Sequence, residues 1–547
     1  MKRPAFPVLA LWAVALTLIG TGLVTRSLAN EDGSQEGFAA APGEGLGAPG
    51  AFGRAAPPAA EPQTASLMGT ALGPIEPMAS PGGVSVLPDA NQAAPATQIS
   101  LRDQLEGGLG TSPLGRLQSV LGLLALGLLA WGFSVDRKNV AWRVVLWGVG
   151  LQLLFAIFIL KTPAGAFLFD WLNTVIVSLL GFTVEGARFI FGDLVYNNVP
   201  VGVGEAGSNA PIQEIPGQVA RTGASFAFNV LPTIIFFSSL MTVLYHIGVM
   251  QWVVRGVAWV MQKTMKTSGA ETLSAAGNIF VGQTESPLLV RPFLEKMTMS
   301  ELNAVMTGGF ATVAGGVMAA YVGMLVAYFP DIAGHLMAAS VMSAPAALVM
   351  AKLMYPEAEE PVTKGGIQMD LEKPDVNVID AAARGASDGL SLALNVGAML
   401  LAFIALISLL NALIGWLGGM VGLDALSLEN ILGWILAPLA WLMGVPWSDA
   451  VAVGSLMGMK TVLNEFVAYL QLSAILQGDE ALQPRSVVIS IYALSGFANF
   501  SSIAIQLGGI GPIAPSRRHD LSRLGLRAMV AGSLAAFMTA TIAGMLL

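Results

Sequence analysis

Long apolar runs with almost no charged residues are the feature that most limits how this chain can fold. Residues 114–135 and 140–160 each form a run long enough to cross about 30 Å of hydrocarbon as a helix, and several more runs follow. Only 11% of the 547 residues are charged, whereas soluble domains carry about 25%. The pattern therefore predicts an all-α integral membrane protein that is embedded in a lipid bilayer.

The scarcity of cysteine, histidine and positive charge excludes several classes of protein. Cysteine is absent, which excludes disulfides, thiolate nucleophiles and zinc–thiolate sites. Histidine occurs only at His246, His335 and His519, so a histidine metal centre would require convergence over long stretches of sequence. The formal net charge of −8 argues against a nucleic-acid partner.

The amino-terminal region is predicted to be exported. Lys2 and Arg3 precede an apolar run at 8–24, and a small-x-small cleavage pattern ends at Ala29, so residues 1–29 are expected to form a signal peptide or an uncleaved signal anchor. Residues 30–112 are rich in Ala, Gly and Pro and contain too few large apolar residues to offset the entropy cost of ordering. They are predicted to be a disordered exported tether, which leaves 113–547 as the membrane domain.

Two clusters of basic residues predict the orientation of the membrane domain. The first, at 136–143, follows the first apolar run, and the second, at 517–527, precedes the last one. The positive-inside rule places both in the cytoplasm. The chain is then a multi-pass protein of the cell (inner) membrane with an even number of transmembrane helices, about eight. Both the tether and the carboxyl terminus are expected on the outer, periplasmic side.

The segment 164–186 allows two interpretations. Asp170, Asn173, Thr174 and Ser178 recur at helical spacing on an otherwise apolar stretch. Such a helix can lie in the membrane interface, or it can span the membrane with a polar packing face.

Two carboxylates occur in short apolar segments that are interrupted by polar residues, Gly or Pro. Glu285 lies in the string 278–287 (Asn-Ile-Phe-Val-Gly-Gln-Thr-Glu-Ser-Pro), and Glu465 lies in 460–469 (Lys-Thr-Val-Leu-Asn-Glu-Phe-Val-Ala-Tyr). A carboxylate at membrane depth is costly and tends to face a cavity, a pathway or a partner. Because the segments are too broken for clean spans, two re-entrant hairpins are expected.

A similar four-residue string follows each predicted hairpin. Gly-Phe-Ala-Thr occupies 309–312, and Gly-Phe-Ala-Asn occupies 496–499. A hairpin, a small-residue helix and another span, occurring twice, indicate an internal structural repeat. Transporters place their substrate between such repeats near the midplane. The small residues could instead serve close helix packing.

At these residues the sequence resembles the concentrative nucleoside transporters of the sodium-coupled type. The resemblance rests on the strings at 277–292, 306–315, 464–469 (Asn-Glu-Phe-Val-Ala-Tyr) and 496–502 (Gly-Phe-Ala-Asn-Phe-Ser-Ser), which occur in the family's order. It covers the chain from about 114 to its end. It implies a homotrimer with inverted repeats, in which each protomer holds a nucleoside between two hairpins and two unwound helices.

The resemblance also implies a binding role for eight residues. The base would contact Gln283, Thr284 and Glu285, the ribose would contact Glu465, Asn499 and Ser502, and apolar contact would come from Val317 and Phe497. Carboxylates and amides suit an uncharged solute rich in hydroxyl groups.

Sodium is the co-transported ion that the resemblance implies. Its ligands would be Asn278, the carbonyl of Val281, Thr312 and the carbonyl of Val313, all of them oxygen donors that suit a hard cation. Thr312 stands where some relatives have serine. The function implied is import of nucleosides such as uridine on the sodium gradient, by alternating access; the alternative is a proton-coupled nucleoside symporter.

Two other classes of function fit less well. An intramembrane hydrolase could use the two glutamates as an acid–base pair, but no nucleophile with an adjacent base is evident. The chain is therefore not expected to be an enzyme. A sensor or channel with a partner-recruiting tether would not need two broken hairpins, which favour alternating access.

Overall fold

The computed structural model describes residues 113–196, 198–203, 213–221, 226–364, 375–420, 422–423, 426–477 and 482–547. The predicted signal segment 1–29 and tether 30–112 lie outside these residues. The described chain is mainly helical, and eight of its helices are long and apolar enough to cross a membrane.

The first half of the described chain contains nine helices, some continued by a short 3₁₀ or π turn. They are α1 Pro113–Gly132, α2 Trp142–Lys161, α3 Pro163–Phe191, α4 Leu231–Ile247, α5 Val249–Met265, α6 Gly269–Gly277, α7 Arg291–Leu294, α8 Met299–Ala311 and α9 Gly315–Leu325.

The second half contains eight more. They are α10 Ile332–Met354, α11 Val378–Gly419, α12 Leu428–Leu442, α13 Trp447–Val462, α14 Glu465–Gln477, α15 Pro484–Leu494, α16 Phe500–Ile510 and α17 Arg518–Leu546.

A small β-hairpin between α3 and α4 was not predicted from the sequence. Strands β1 (Asn198–Val203) and β2 (Gln213–Arg221) pair antiparallel, with Asn198 opposite Arg221. The register is interrupted between Pro200 and Gly202, where proline cannot donate a ladder hydrogen bond.

The helices divide into a buried core and an apolar periphery. The most apolar windows of α8–α9, α10 and α17 are 83% to 89% buried, whereas those of α1, α2 and α11 are only 11% to 28% buried. Exposed side chains on these outer helices include Leu124, Leu146 and Leu401. An apolar exterior around a packed core is what a bilayer solvates, and the prediction of an all-α membrane protein is confirmed.

Both basic clusters lie at the same end of this bundle, which we call the basic end. Hydrogen bonds connect the loop after α1 to the end of α10, the end of α10 to the start of α8, and the α16–α17 junction to the residues before α8. They are Val135 N to Met354 O (3.1 Å), Ser300 Oγ to Tyr355 O (2.7 Å) and Arg517 Nη1 to Met297 O (2.6 Å). The two clusters are therefore on one side, as the positive-inside rule predicts.

The two predicted hairpins enter the bundle from opposite ends. The first consists of α6, the irregular residues 278–285 and α7, and it begins at the basic end, where Ser268 Oγ donates to Glu301 Oε1 at 2.5 Å. The second consists of α13 and α14, and it begins at the other end, beside the start of α15, where Ser486 Oγ donates to Asp449 Oδ2 at 2.6 Å. Arg485 Nη2 donates there to Ser119 Oγ near the start of α1. This is the arrangement of inverted repeats.

A broken helix follows each hairpin, and the second break contacts the last turn of the helix before the first break. The first break, 312–314, separates α8 from α9, and the second, 495–499, separates α15 from α16. Gly496 has a φ of +136°, and a Cβ at that position would lie 2.8 Å from the carbonyl oxygen of Phe310. Only glycine allows this close crossing of two backbones.

The two four-residue strings do not occupy equivalent places in the repeats. Residues 309–311 form the last turn of α8, with Thr312 as its C-cap, whereas 496–499 form the break itself, with Asn499 as the N-cap of α16. The C-cap of α15, which matches Thr312 in position, is Ser495. The structure therefore contains the repeat, but the second string lies about four residues later in its repeat than the first string does in its own.

Helix α3 lies along the end of the bundle opposite the basic end. It starts directly after α2, and Asn173 Nδ2 donates to Pro330 O (3.1 Å) just before α10 begins. At its far end, Asn229 Nδ2, which precedes α4, donates to Val195 O (3.3 Å). Although α3 is long enough to span, its contacts are those of the interfacial alternative, and α15–α16 together supply the eighth crossing.

Candidate functional site

A cavity of about 140 Å³ lies between the two hairpins and the two broken helices. All eight residues that the resemblance assigns to the nucleoside line it: Gln283, Thr284, Glu285, Val317, Glu465, Phe497, Asn499 and Ser502. Leu392, Val396 and Leu400 of α11 close the apolar side. Few polar groups in a mostly apolar cavity are typical of a small-molecule site.

Glu465 is held by donors from both repeats. It is 4% exposed, and its two carboxylate oxygens accept hydrogen bonds from Tyr321 Oη (2.8 Å) and Asn499 Nδ2 (2.9 Å). Because Glu465 is the first residue of α14, the positive end of that helix also stabilises its charge. Tyr321 was not predicted, and it stacks on Tyr469 with ring centroids 4.5 Å apart.

Asn499 connects Glu465 to the start of α16. Its side-chain oxygen accepts from the Ser502 amide (2.8 Å) and from Ser501 Oγ (2.7 Å), which is the N-cap arrangement. Its amide nitrogen is thereby free to face the carboxylate. Asn499 therefore ends the helix break and also orients the Glu465 carboxylate.

Gln283 connects the first hairpin to α16. Its Nε2 donates to Ser502 Oγ (3.2 Å), and its Oε1 accepts from Gln506 Nε2 (3.1 Å), which also donates to Met306 O (3.1 Å). Gln506 was not predicted, since a glutamine on an apolar helix does not indicate its distant partner. These bonds bring one repeat against the other.

Glu285 has a different environment from Glu465. Its side chain is exposed, and it accepts a hydrogen bond from the adjacent Thr284 Oγ1 (2.9 Å). It also lines a second cavity of about 1060 Å³, which is lined by His246, Asp375 and Glu295 among others. These residues belong to segments at the basic end, so the site opens toward that end.

The four residues assigned to sodium lie where the first hairpin contacts the first helix break. The Gly315 amide donates to Phe280 O at 3.0 Å. Since Phe280 precedes Val281 and Gly315 follows Val313 by two residues, the backbone segments that contain the two valines lie next to each other. Asn278 is fully buried, and neither polar atom of its side chain has a hydrogen-bond partner among the described residues. An orphaned buried amide is costly, and a ligand for it would remove that cost.

The polarity of the surrounding helices favours a cation at this point. Asn278 caps the C-terminus of α6, and Thr312 caps the C-terminus of α8. Two helix C-termini direct partial negative charge at the same region. Thr312 Oγ1 donates to Gly308 O (2.9 Å), which leaves its lone pairs available to a metal ion.

Three family models match successive parts of the chain. The Na+ dependent nucleoside transporter N-terminus matches residues 121–194, the nucleoside recognition (gate) model matches 227–328, and the Na+ dependent nucleoside transporter C-terminus matches 335–544. The two hairpins fall in the second and third matches.

Curated relatives are similar over most of the chain. It is 43% identical to solute carrier family 28 member 3 of Mus musculus over 453 residues, which is 80% of this chain and 60% of that protein. It is 42% identical to sodium/nucleoside cotransporter 1 of Rattus norvegicus over 444 residues, 79% of this chain and 64% of that protein. The chain thus spans less than two thirds of the length of these relatives.

Solved structures are similar over nearly their whole length. CNTnw in an inward-facing substrate-bound state has a TM-score of 0.69 and 43% identity, over 79% of this chain and 97% of that one. A double variant of CNTnw in an outward-facing state has a TM-score of 0.71 and 42% identity, over 80% and 98%.

Proposed function

This chain belongs to the family of Na+-dependent nucleoside transporters, and from that premise we propose that it imports nucleosides such as uridine by symport with sodium. The observation that carries the proposal is the convergence of eight polar and apolar residues from four separate elements on one cavity between the hairpins. The proposed function includes no hydrolysis, because the relatives are transporters and not enzymes.

The polar groups of the cavity suit a nucleoside. Glu465, Asn499 and Ser502 would accept from and donate to ribose hydroxyls, and Gln283, Thr284 and Glu285 would pair with the edge of the base. Val317 and Phe497 would supply apolar contact to the base and the sugar. A site that hydrogen-bonds hydroxyl groups rejects analogues without them, because its own buried groups would be left unpaired.

Sodium would bind to Asn278, the Val281 carbonyl, Thr312 and the Val313 carbonyl. The support is chemical: all four donors are neutral oxygens, and the Asn278 side chain is buried without a partner among the described residues. Sodium there would order the residues that lead to Gln283 and Glu285, so ion and nucleoside would favour each other's binding.

The side of the membrane follows from the basic end. We place that end in the cytoplasm and the carboxyl terminus outside, with the exported tether. The larger cavity at the basic end would then be the route of release, and the conformation would be inward-facing. Alternating access would close this route and open the site to the other end. The protomers would assemble as a homotrimer, which the likeness to the family supports.

The test is uptake of radiolabelled uridine into proteoliposomes, with an inward sodium gradient against a choline control at fixed pH. Accumulation above equilibrium in sodium, lost in Glu465→Ala, is expected. Equal accumulation in choline that responds to a pH gradient would replace sodium by protons as the driving ion. If no nucleoside accumulates under either gradient, the proposed substrate is wrong.

A further inference from the structure

Lys460 is a fully buried cation close to the binding site. It lies in the last turn of α13, its side chain is 0% exposed, and its Nζ donates to Ala493 O at 2.8 Å. The ring of Phe537 lies 5.8 Å from Nζ. No carboxylate in the described part of the chain forms an ion pair with it.

Two helix ends help to stabilise the charge of Lys460, which forms no direct ion pair with a described carboxylate. Ala493 lies in the last turn of α15, and Lys460 lies in the last turn of its own helix. Both helices therefore direct the negative end of their dipole toward the ammonium. The face of Phe537 adds a further favourable term.

The first repeat has the same arrangement of helix ends without a basic side chain. There α6 and α8 end at Asn278 and Thr312, and neither helix has a basic residue in its last turn. This is the place at which sodium is proposed to bind. The second repeat has an ammonium group at the end of the matching pair of helices, α13 and α15.

We propose that Lys460 is a tethered counter-cation, which in the second repeat takes the place that sodium takes in the first. The inference rests on the proposed function. The charges then balance: two carboxylates, Glu285 and Glu465, are matched by one ammonium and one sodium ion. Because the Lys460 ammonium neutralises one of the two carboxylates, one sodium ion is needed for each nucleoside.

Oxygen atoms at the end of α15 could coordinate a metal ion in place of the ammonium. The carbonyl of Ala493 would lose its donor, and Ser495 Oγ is buried without a hydrogen-bond partner among the described residues. A small side chain at 460 would leave space for sodium there. A long neutral side chain would fill that space.

This difference gives a test with three variants of the full-length protein in proteoliposomes. Lys460→Met fills the space without charge, and its KM for uridine at saturating sodium should rise by about 10- to 30-fold. In Lys460→Ala, high sodium should restore uptake, with a Hill coefficient for sodium near 2 in place of about 1. Lys460→Arg keeps the charge but places a larger group in a fully buried position, so its sodium Hill coefficient, and not its KM, is the quantity expected to stay near the wild-type value of about 1.

Tyr469→Phe is the matched control for a purely structural role. It removes another hydrogen bond from the second hairpin to α15, from Tyr469 Oη to Ile491 O (2.9 Å), without changing charge. The proposal is wrong if folded Lys460→Met and Lys460→Ala both behave like Tyr469→Phe, with an unchanged sodium Hill coefficient. It is also wrong if sodium rescues Lys460→Ala no better than Lys460→Met.

The ratio of ²²Na⁺ to uridine taken up gives an independent readout. We expect about one ion per nucleoside in the wild type and about two in Lys460→Ala. A wild-type ratio near two would overturn the inference while leaving sodium-driven transport intact. Failure of the wild type to accumulate uridine in sodium would instead overturn the proposed function.

Discussion

The two hairpins carry one glutamate each, and the protein treats the two carboxylates differently. Glu465 is buried and accepts hydrogen bonds from Tyr321 of the first repeat and Asn499 of the second. Glu285 is exposed to the larger cavity, and its side-chain hydrogen bond comes from the adjacent Thr284. One carboxylate is held by side chains from both repeats, whereas the other accepts its side-chain hydrogen bond from its own neighbour in the sequence.

The shape of each hairpin explains this difference. The second hairpin turns within residues 463–464, and α14 begins at Glu465 itself. The first hairpin contains the irregular residues 278–285 between α6 and the next short turn. A preorganised carboxylate loses little entropy on binding. Under the proposed function, the second hairpin would supply fixed recognition and the first would supply coupling to the ion.

The largest effect is expected from Glu465→Gln. The change removes the charge that the Asn499 amide and the helix start stabilise, while Tyr321 can still donate to the remaining oxygen. A hydrogen bond to a charged group is worth up to about 3 kcal/mol, so losing the bonds of the carboxylate to the substrate should lower uridine uptake by about 100-fold. The measurement is initial uptake at saturating sodium, with the thermal stability of the purified variant as the control. Retention of a tenth of the activity would break the proposed asymmetry.

A smaller effect of a different kind is expected from Glu285→Gln. Because Glu285 faces the larger cavity and its side-chain hydrogen bond comes from Thr284 and not from the other repeat, uptake at saturating sodium should fall by about tenfold at most. The half-saturating sodium concentration should rise, since the neutral hairpin attracts the cation less. Sodium titrations at several uridine concentrations separate the two parameters. A sodium response identical to that of wild type would contradict the coupling role.

The comparison of the hairpins also shows what the sequence could predict. Charge scarcity and apolar runs predict the membrane fold, and the strings at 278–287 and 460–469 predict both hairpins. The resemblance that named the eight cavity residues rests on these strings and on those at 306–315 and 496–502. These signals are local, because a broken apolar segment is visible within about ten residues.

The sequence does not predict the contacts between residues that are far apart along the chain. Tyr321 meets Glu465 across 144 residues, and Gln506 meets Gln283 across 223. A tyrosine or glutamine on an apolar helix gives no sign of which partner the fold will supply. The β-hairpin with strands 198–203 and 213–221 gives a weak sequence signal for another reason: Val199, Val201 and Val203 alternate with Pro200 and Gly202, which are poor strand formers.

The smallest changes in stability are expected from two asparagines, Asn278 of the first repeat and Asn499 of the second, and the two substitutions should differ from each other. Asn278 is buried without a partner among the described residues, so Asn278→Ala removes an unpaired amide and should not destabilise the sodium-free protein, while it raises the half-saturating sodium concentration about tenfold. Asn499 is an N-cap, so Asn499→Ala should cost about 1 kcal/mol. Thermal unfolding in choline measures the first effect for both variants, and sodium-induced stabilisation measures the second. Equal destabilisation by the two changes would mean that Asn278 serves the fold and not the ion.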